Sequence, residues 1–197
     1  MNDDGTMDLI AHDPGGKTRL ALLPGVTGDA EFSECGRFRY WLSREWGLRQ
    51  FSDGREPYAL FIGMNPSTAE ANVDDPTIRR EIALTHRLGL ERYIKTNVMD
   101  YRATSPKMLL APGVQPCSDA NRPTIRRLAE RAGTIIICHG RLHKKLRRYG
   151  ELVLADLRGR DLWCLGCNDD GSPKHPLYLA ADTPLVRYRC NTPIPGA

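Results

Sequence analysis

Tyr58-Ala59-Leu60-Phe61-Ile62-Gly63-Met64-Asn65-Pro66-Ser67 is the stretch from which the fold is read. Its first five residues form an unbroken apolar run of the length a strand has when both faces of a parallel sheet are covered. The run stops at Gly63, and Asn65-Pro66-Ser67 begins a polar loop. Downstream, Asp74-Asp75-Pro76-Thr77 has an acidic cap and a first-turn proline, so a helix is predicted from Ile78 to about Leu88, ending at Gly89. Tyr93–Met99 is a second strand. A proline-containing linker, residues 106–123, leads to a helix with Ile125, Leu128, Ala129 and Ala132 on one face. Thr134–His139 is a third buried strand, followed at Gly140 by a basic helix. Leu162–Gly166 is a fourth, running into a long polar loop through Tyr178.

Strands alternating with helices imply right-handed βαβ units and a mostly parallel sheet in an α/β fold. Upstream, residues 36–46 alternate as an edge strand or hairpin would, and Asp53-Gly54 suits a turn. The organisation expected is an N-terminal arm over 1–30, a single α/β domain over 31–190 and a tail over 191–197.

The composition is that of a folded protein: 197 residues, 41% hydrophobic and 26% charged. No apolar run approaches the roughly 20 residues of a membrane helix, and the acidic start Asn2-Asp3-Asp4 is unlike a secretory signal, so the expected compartment is the cytoplasm. The six cysteines are scattered, and buried reduced thiols are expected. Cys164-Leu-Gly-Cys167 lacks the second ligand pair of a structural zinc site, so no metal and no cofactor are expected. Net charge is +4, with Arg141, His143, Lys144, Lys145, Arg147 and Arg148 crowded together after Arg122, Arg126, Arg127 and Arg131. Such segments are either solvated faces or a phosphate-binding surface.

In a parallel sheet, ligands bind beyond the carboxyl ends of the strands. There the sequence offers Gly63, where backbone can approach a ligand, Asn65 with its amide, and Pro66 to stiffen the turn. Asn97 ends the second strand, and an amide there can read a donor–acceptor edge. Tyr101 and Arg102 supply a ring and a cation, and His175 precedes a proline where an imidazole can polarise an oxygen. Each has a plain structural alternative: a turn for Asn65-Pro66, a loop tie for Asn97, a satisfied imidazole for His139 and His175, packing for Tyr101 and Tyr178, and helix capping for Asp74 and Asp75. The nucleotide-binding GxxxxGK[ST] and GxGxxG motifs, the GxSxG elbow and HExxH are all missing.

Ala59–Ala69, Asp74–Arg80, Tyr101–Pro106, His175–Leu179 and Asp182–Leu185 together resemble the bacterial and phage family labelled domain of unknown function 1643, over about residues 33 to 188. That label implies no activity. Gly63-Met64-Asn65-Pro66, a strand ending in Asn97, His139-Gly140 and His175-Pro176 also resemble, in order, the motifs of the uracil-DNA glycosylase superfamily. This second resemblance implies a three-layer α/β/α fold and hydrolysis of an N-glycosidic bond of a flipped base. In that scheme Asn65 positions the water and His175 stabilises the leaving base. Gly63, Met64, Pro66, Ser67, Asn97, Tyr101 and His139 surround the base. Arg102, Arg141, Lys144 and Lys145 meet phosphates, and Tyr178 or Leu179 wedges into the stack.

Two departures matter. The carboxylate of the uracil-specific enzymes is replaced by Asn65, as in the mismatch-specific branch, and Ser67 replaces a bulky tyrosine. The partner expected is nucleic acid, DNA first, or a nucleotide. Alternatives are a non-catalytic binder of the same fold and a small-molecule nucleoside hydrolase or transferase.

Overall fold

The computed structural model describes residues 19–47, 56–180 and 182–189. The central run becomes β4 (Glu56–Gly63), the middle of a seven-stranded sheet. The others, in chain order, are β2 (Thr27–Phe32), β3 (Arg39–Glu45), β6 (Arg92–Asn97), β7 (Ala132–Ile137), β8 (Leu162–Cys164) and β9 (Val186–Arg187), with β1 (Leu20–Ala21) and β5 (Val73–Asp74) forming a separate two-stranded pair. Spatial order in the main sheet is β2-β3-β6-β4-β7-β8-β9. β4 is parallel to β6 and β7, and β7 is parallel to β8. β2 with β3, β3 with β6, and β8 with β9 are antiparallel. The sheet is therefore mixed, with a parallel centre, and the expected mostly parallel sheet is corrected. β2 and β3 form a hairpin, but β3 pairs with the distant β6 and β9 returns only after the long loop that follows β8, pairings that the alternation of strands and helices does not reveal.

Residues 36–46 do lie in a hairpin with β2, but β3 is an inner strand and β2 is the edge. Within the expected arm, the boundary at residue 30 falls inside β2. Residues 1–18, Asp53-Gly54, Cys190 and the tail 191–197 lie outside the described residues.

Three helices cover the sheet: α1 (Pro76–Arg87), α2 (Asn121–Arg131) and α3 (Arg147–Asp156). The start of α1 is as the sequence implies. Asp75 is the cap, its carboxylate accepting the Ile78 N–H at 2.9 Å, with proline in the first turn. Gly89 follows its last turn at φ 67°, a conformation open to glycine. Asp74 is not a cap. It is fully buried and paired with Arg44 at 2.8 Å and Arg79 at 2.6 Å. The strand pleat sorts the core into two clusters. Tyr58, Leu60, Ile62, Ile94, Ile135 and Ile137 pack with Ile125, Leu128 and Ala129 of α2 and Val153 of α3. Ala59, Phe61, Tyr93 and Ile136 pack with Ile78 and Ile82 of α1. Helices thus lie on both faces.

Strand order reverses at β4: the chain moves through α1 to β6 on one side, then through α2 to β7 on the other. Loops leaving neighbouring parallel strands in opposite directions open a crevice at their carboxyl ends. No helix among the described residues is long and apolar enough to cross a membrane.

Candidate functional site

A cavity of about 1010 Å³ occupies that rim. It receives the loop after β4 (Met64, Asn65, Ser67), the end of β6 (Asn97), the loop after β7 (His139, Gly140, Arg141), the loop after β8 (Asn168, Lys174, His175 and Leu177–Leu179) and the first turn of α1. Asn65, Asn97 and His175, separated by long stretches of chain, line one space.

Asn65 is oriented by its own amide nitrogen, which donates to the Ala103 carbonyl at 2.7 Å and the Pro66 carbonyl at 2.9 Å. Its Oδ1 is left as an acceptor. Pro66 itself is buried and outside the cavity lining, so it braces the loop. Ser67 lines the cavity with a buried hydroxyl that has no protein partner. Met64 lines it too while packing against the α2-side cluster.

Gly63 has a different role from the one expected. A Cβ there would lie 2.9 Å from both Asn97 Nδ2 and Lys95 Nζ, so glycine makes room for protein side chains beneath the loop. Asn97 is 1% exposed; its Oδ1 accepts from an Arg39 guanidinium nitrogen at 3.3 Å, and its Nδ2 has no partner. It presents a donor only, half of the expected two-sided edge.

His139 is buried, with Nδ1 bonded to the Gly140 carbonyl at 2.7 Å. That bond puts the proton on Nδ1 and leaves Nε2 an acceptor without a partner. Burial holds its pKa below the ordinary imidazole value. It falls on the face of Ile135 and Ile137, where its Nε2 approaches Gly150 of α3, across the sheet from Asn97. His175 Nδ1 accepts the Leu177 N–H at 3.3 Å, capping the turn Pro176–Tyr178 and placing the imidazole proton on Nε2.

Several expected site residues stand elsewhere. Tyr101 is buried edge-on against Phe38 and belongs to the α2-side core, outside the lining. Arg102 is tied to Glu70 at 2.8 Å and the Gly36 carbonyl at 3.2 Å and covers the Phe32 ring, which makes it a brace for the hairpin. Leu179 packs against the α1-side cluster, and its carbonyl accepts from Arg80, so the exposed tips of this loop are Leu177 and Tyr178, the latter 83% exposed. The basic segment is a loop up to Leu146, and α3 begins only at Arg147. Arg141 lines the rim but is paired with Asp170 at 2.8 Å. Lys144 and Lys145 are exposed and outside the lining. Arg122 and Arg126 are paired with Asp156.

Five thiols, Cys35, Cys117, Cys138, Cys164 and Cys167, are free. Cys138 and Cys164 are buried, and burial pushes Cys138 up to about 12. Among the described residues no three His, Cys, Asp or Glu side chains group as metal ligands would.

Sequence reasoning missed the cavity floor. Lys95 is ion-paired with Glu81 of α1, both buried, and Arg39 of β3 lies beside them. Burial opposes the Lys95 charge, but the nearby acidic groups, Glu81 first among them, together raise the ammonium pKa. Burial lowers Arg39 to about 10. A charged residue inside Tyr93-Ile94-Lys95-Thr96 was the available signal, since a strand in the middle of a sheet has no solvated face for it. Asp75 lines the cavity wall as well.

The family model described as protein of unknown function (DUF1643) matches residues 39–177, more than half of the chain. Comparison with curated proteins returns no match. Comparison with solved structures returns none. With the whole cavity rim up to Leu177 inside the matched span, the chain belongs to the DUF1643 family.

Proposed function

We propose that the cavity binds a nucleobase-bearing ligand and hydrolyses its N-glycosidic bond, in a fold laid out as in the uracil-DNA glycosylases. The observation that carries this reading is the convergence of Asn65, Asn97 and His175 on one cavity at the carboxyl rim of the parallel strands. Asn65 Oδ1 accepts a hydrogen bond from the attacking water, and the fixed Nδ2 aims it. Asn97 Nδ2 donates to a carbonyl oxygen of the base. His175, protonated on Nε2, donates to negative charge developing on the departing base. As the sugar C–O bond forms and the C–N bond breaks, the proton of the water passes to the departing base rather than to the amide, so turnover is slower than with a carboxylate at position 65.

Of the two substrate forms, the free nucleotide is favoured over a polymer. Arg141 is already paired, Lys144 and Lys145 stand off the rim, and Leu179 is committed to the core. A polymer site needs unpaired cations along the backbone path.

The test is base release from deoxynucleoside monophosphates and from duplexes containing uracil, mismatched or modified bases. Asn65→Ala and Asn97→Ala should lower release by about 100-fold or more. No release across the panel, or Asn65→Ala equal to wild type, sinks the reading. Tight, salt-dependent binding of the duplexes without product would favour a non-catalytic binder instead.

A further inference from the structure

Arg39 is 2% exposed and lines the cavity. Its guanidinium donates to the Ala69 carbonyl at 2.8 Å and to Asn97 Oδ1 at 3.3 Å, while Nε has no partner. Both acceptors are neutral. The other buried cations of this layer have carboxylates in contact: Arg44 has Asp74, and Lys95 has Glu81. Arg39 has none within ion-pair distance among the described residues. Two carboxylates act on it through space only: Asp75, from the cavity wall with one oxygen engaged by the Ile78 N–H, and more weakly Glu81, which is paired with Lys95. A buried charge without a counter-ion is costly, and burial lowers the Arg39 pKa only to about 10, which leaves it charged at neutral pH.

Two further donors gather at the same place. Asn97 Nδ2 is buried and unpartnered. Lys95 Nζ stands with it, both 2.9 Å from the point a Gly63 Cβ would occupy. The positive end of α1 opens on the same cavity, its first-turn residues Pro76, Thr77 and Ile78 in the lining. Guanidinium, ammonium and amide nitrogen all donate, and an oxygen bearing delocalised negative charge answers all three.

We propose that the cavity floor is an oxyanion subsite, formed by Arg39, Asn97 and Lys95, that takes the phosphate or carboxylate group of a small ligand. It holds the counter-charge that Arg39 lacks, and the roughly 1010 Å³ above it accommodates the rest of a ligand as large as a nucleotide. The subsite uses one of the two Asn97 Nδ2 hydrogens and leaves the other for a base carbonyl, so it rests on charge balance and stands whether or not the cavity hydrolyses a glycosidic bond.

The test is thermal unfolding of the full chain in inorganic phosphate or acetate against chloride at matched ionic strength, with calorimetric titration of the same anions. At least one should raise Tm beyond the chloride control, and which one does so separates phosphate from carboxylate. Arg39→Met should abolish the increment but also removes the buried bonds to Ala69 and Asn97; Asn97→Asp keeps the guanidinium and sets a carboxylate beside it. Asn97→Asp should raise the Tm of the unliganded protein and abolish the specific increment, while the general salting effect of phosphate persists. No increment with either anion, an increment that survives Asn97→Asp, or a lower Tm for Asn97→Asp each overturns the subsite. Anion binding without base release would keep the subsite and sink the glycosidase reading, and base release without anion binding would do the reverse.

Discussion

The two faces of the sheet are covered by helices yet built on different principles. Toward α2 and α3, the strands present Leu60, Ile62, Ile94, Ile135 and Ile137 to a largely apolar layer in which the buried Asn121 and His139 carry no formal charge, and the charges of those helices stay at the surface, as in Arg122 and Arg126 with Asp156. Toward α1, apolar packing by Phe61, Ile78 and Ile82 shares the interface with buried Arg39, Arg44, Asp74, Glu81 and Lys95. The first face supplies stability through area removed from water. The second has its charges, Arg39 excepted, held in specific pairs next to the cavity. The departure from an apolar core lies on the side where Arg39 and Lys95 line the cavity.

Breaking the charged face should have the largest effect. Glu81→Ala leaves Lys95 buried without its carboxylate and should cost about 3–5 kcal/mol in urea unfolding, whereas the joint replacement Glu81→Leu with Lys95→Met should restore most of it. Equal losses from the single and joint changes would show that packing, not charge, governs this face. On the apolar face, Leu60→Ala should cost about 3 kcal/mol, with ligand binding per folded molecule unchanged. Gly63→Ala brings the faces into contact with the site. Its added methyl meets Asn97 Nδ2 and Lys95 Nζ, and a loss of about 1–3 kcal/mol together with weakened binding is expected.

Smaller effects sharpen the contrast. Asp75→Ala should cost about 1 kcal/mol through loss of the α1 cap, and Asp75→Asn should keep it, as chemical denaturation will show. Asp156→Asn on the surface should cost under about 1 kcal/mol and less in high salt. Hydrogen bonding from Arg122 holds the Asp156 pKa below the ordinary carboxylate value. The lowered folded pKa means its contribution is present at neutral pH and lost as the pH falls through the carboxylate range and below, and the variant should lack that acid limb.

The sequence made some of this plain. Runs such as Tyr58–Ile62 and Thr134–Cys138 specify buried strands by composition alone, and Asp75-Pro76 specifies a helix start by local hydrogen bonding. The site was legible as far as strand ends are, because Asn65, Asn97 and His175 each follow a recognisable strand or precede a proline. Lys95 left one mark, a charge inside an apolar strand, but Arg39 and Glu81 left none, since nothing local identifies a buried partner 14 residues away. Tyr101 and Arg102 were misjudged for a related reason: the bridge between Phe38 and Tyr101 that draws them into the hairpin depends on tertiary pairing.

One of the two outer described strands of the sheet, β2, has a bearing on how the protein behaves in solution. An open strand edge offers unpaired amides to any passing chain. Here Asp29 folds its carboxylate back onto the Ala30 amide at 2.8 Å, Glu31 accepts from the Trp41 indole N–H of β3, and the pairing register slips between Glu31 and Phe32. Acidic side chains and an irregular rim are poor templates for a further strand. Neutralising Asp29 and Glu31 would remove that guard and open the edge to intermolecular sheet growth.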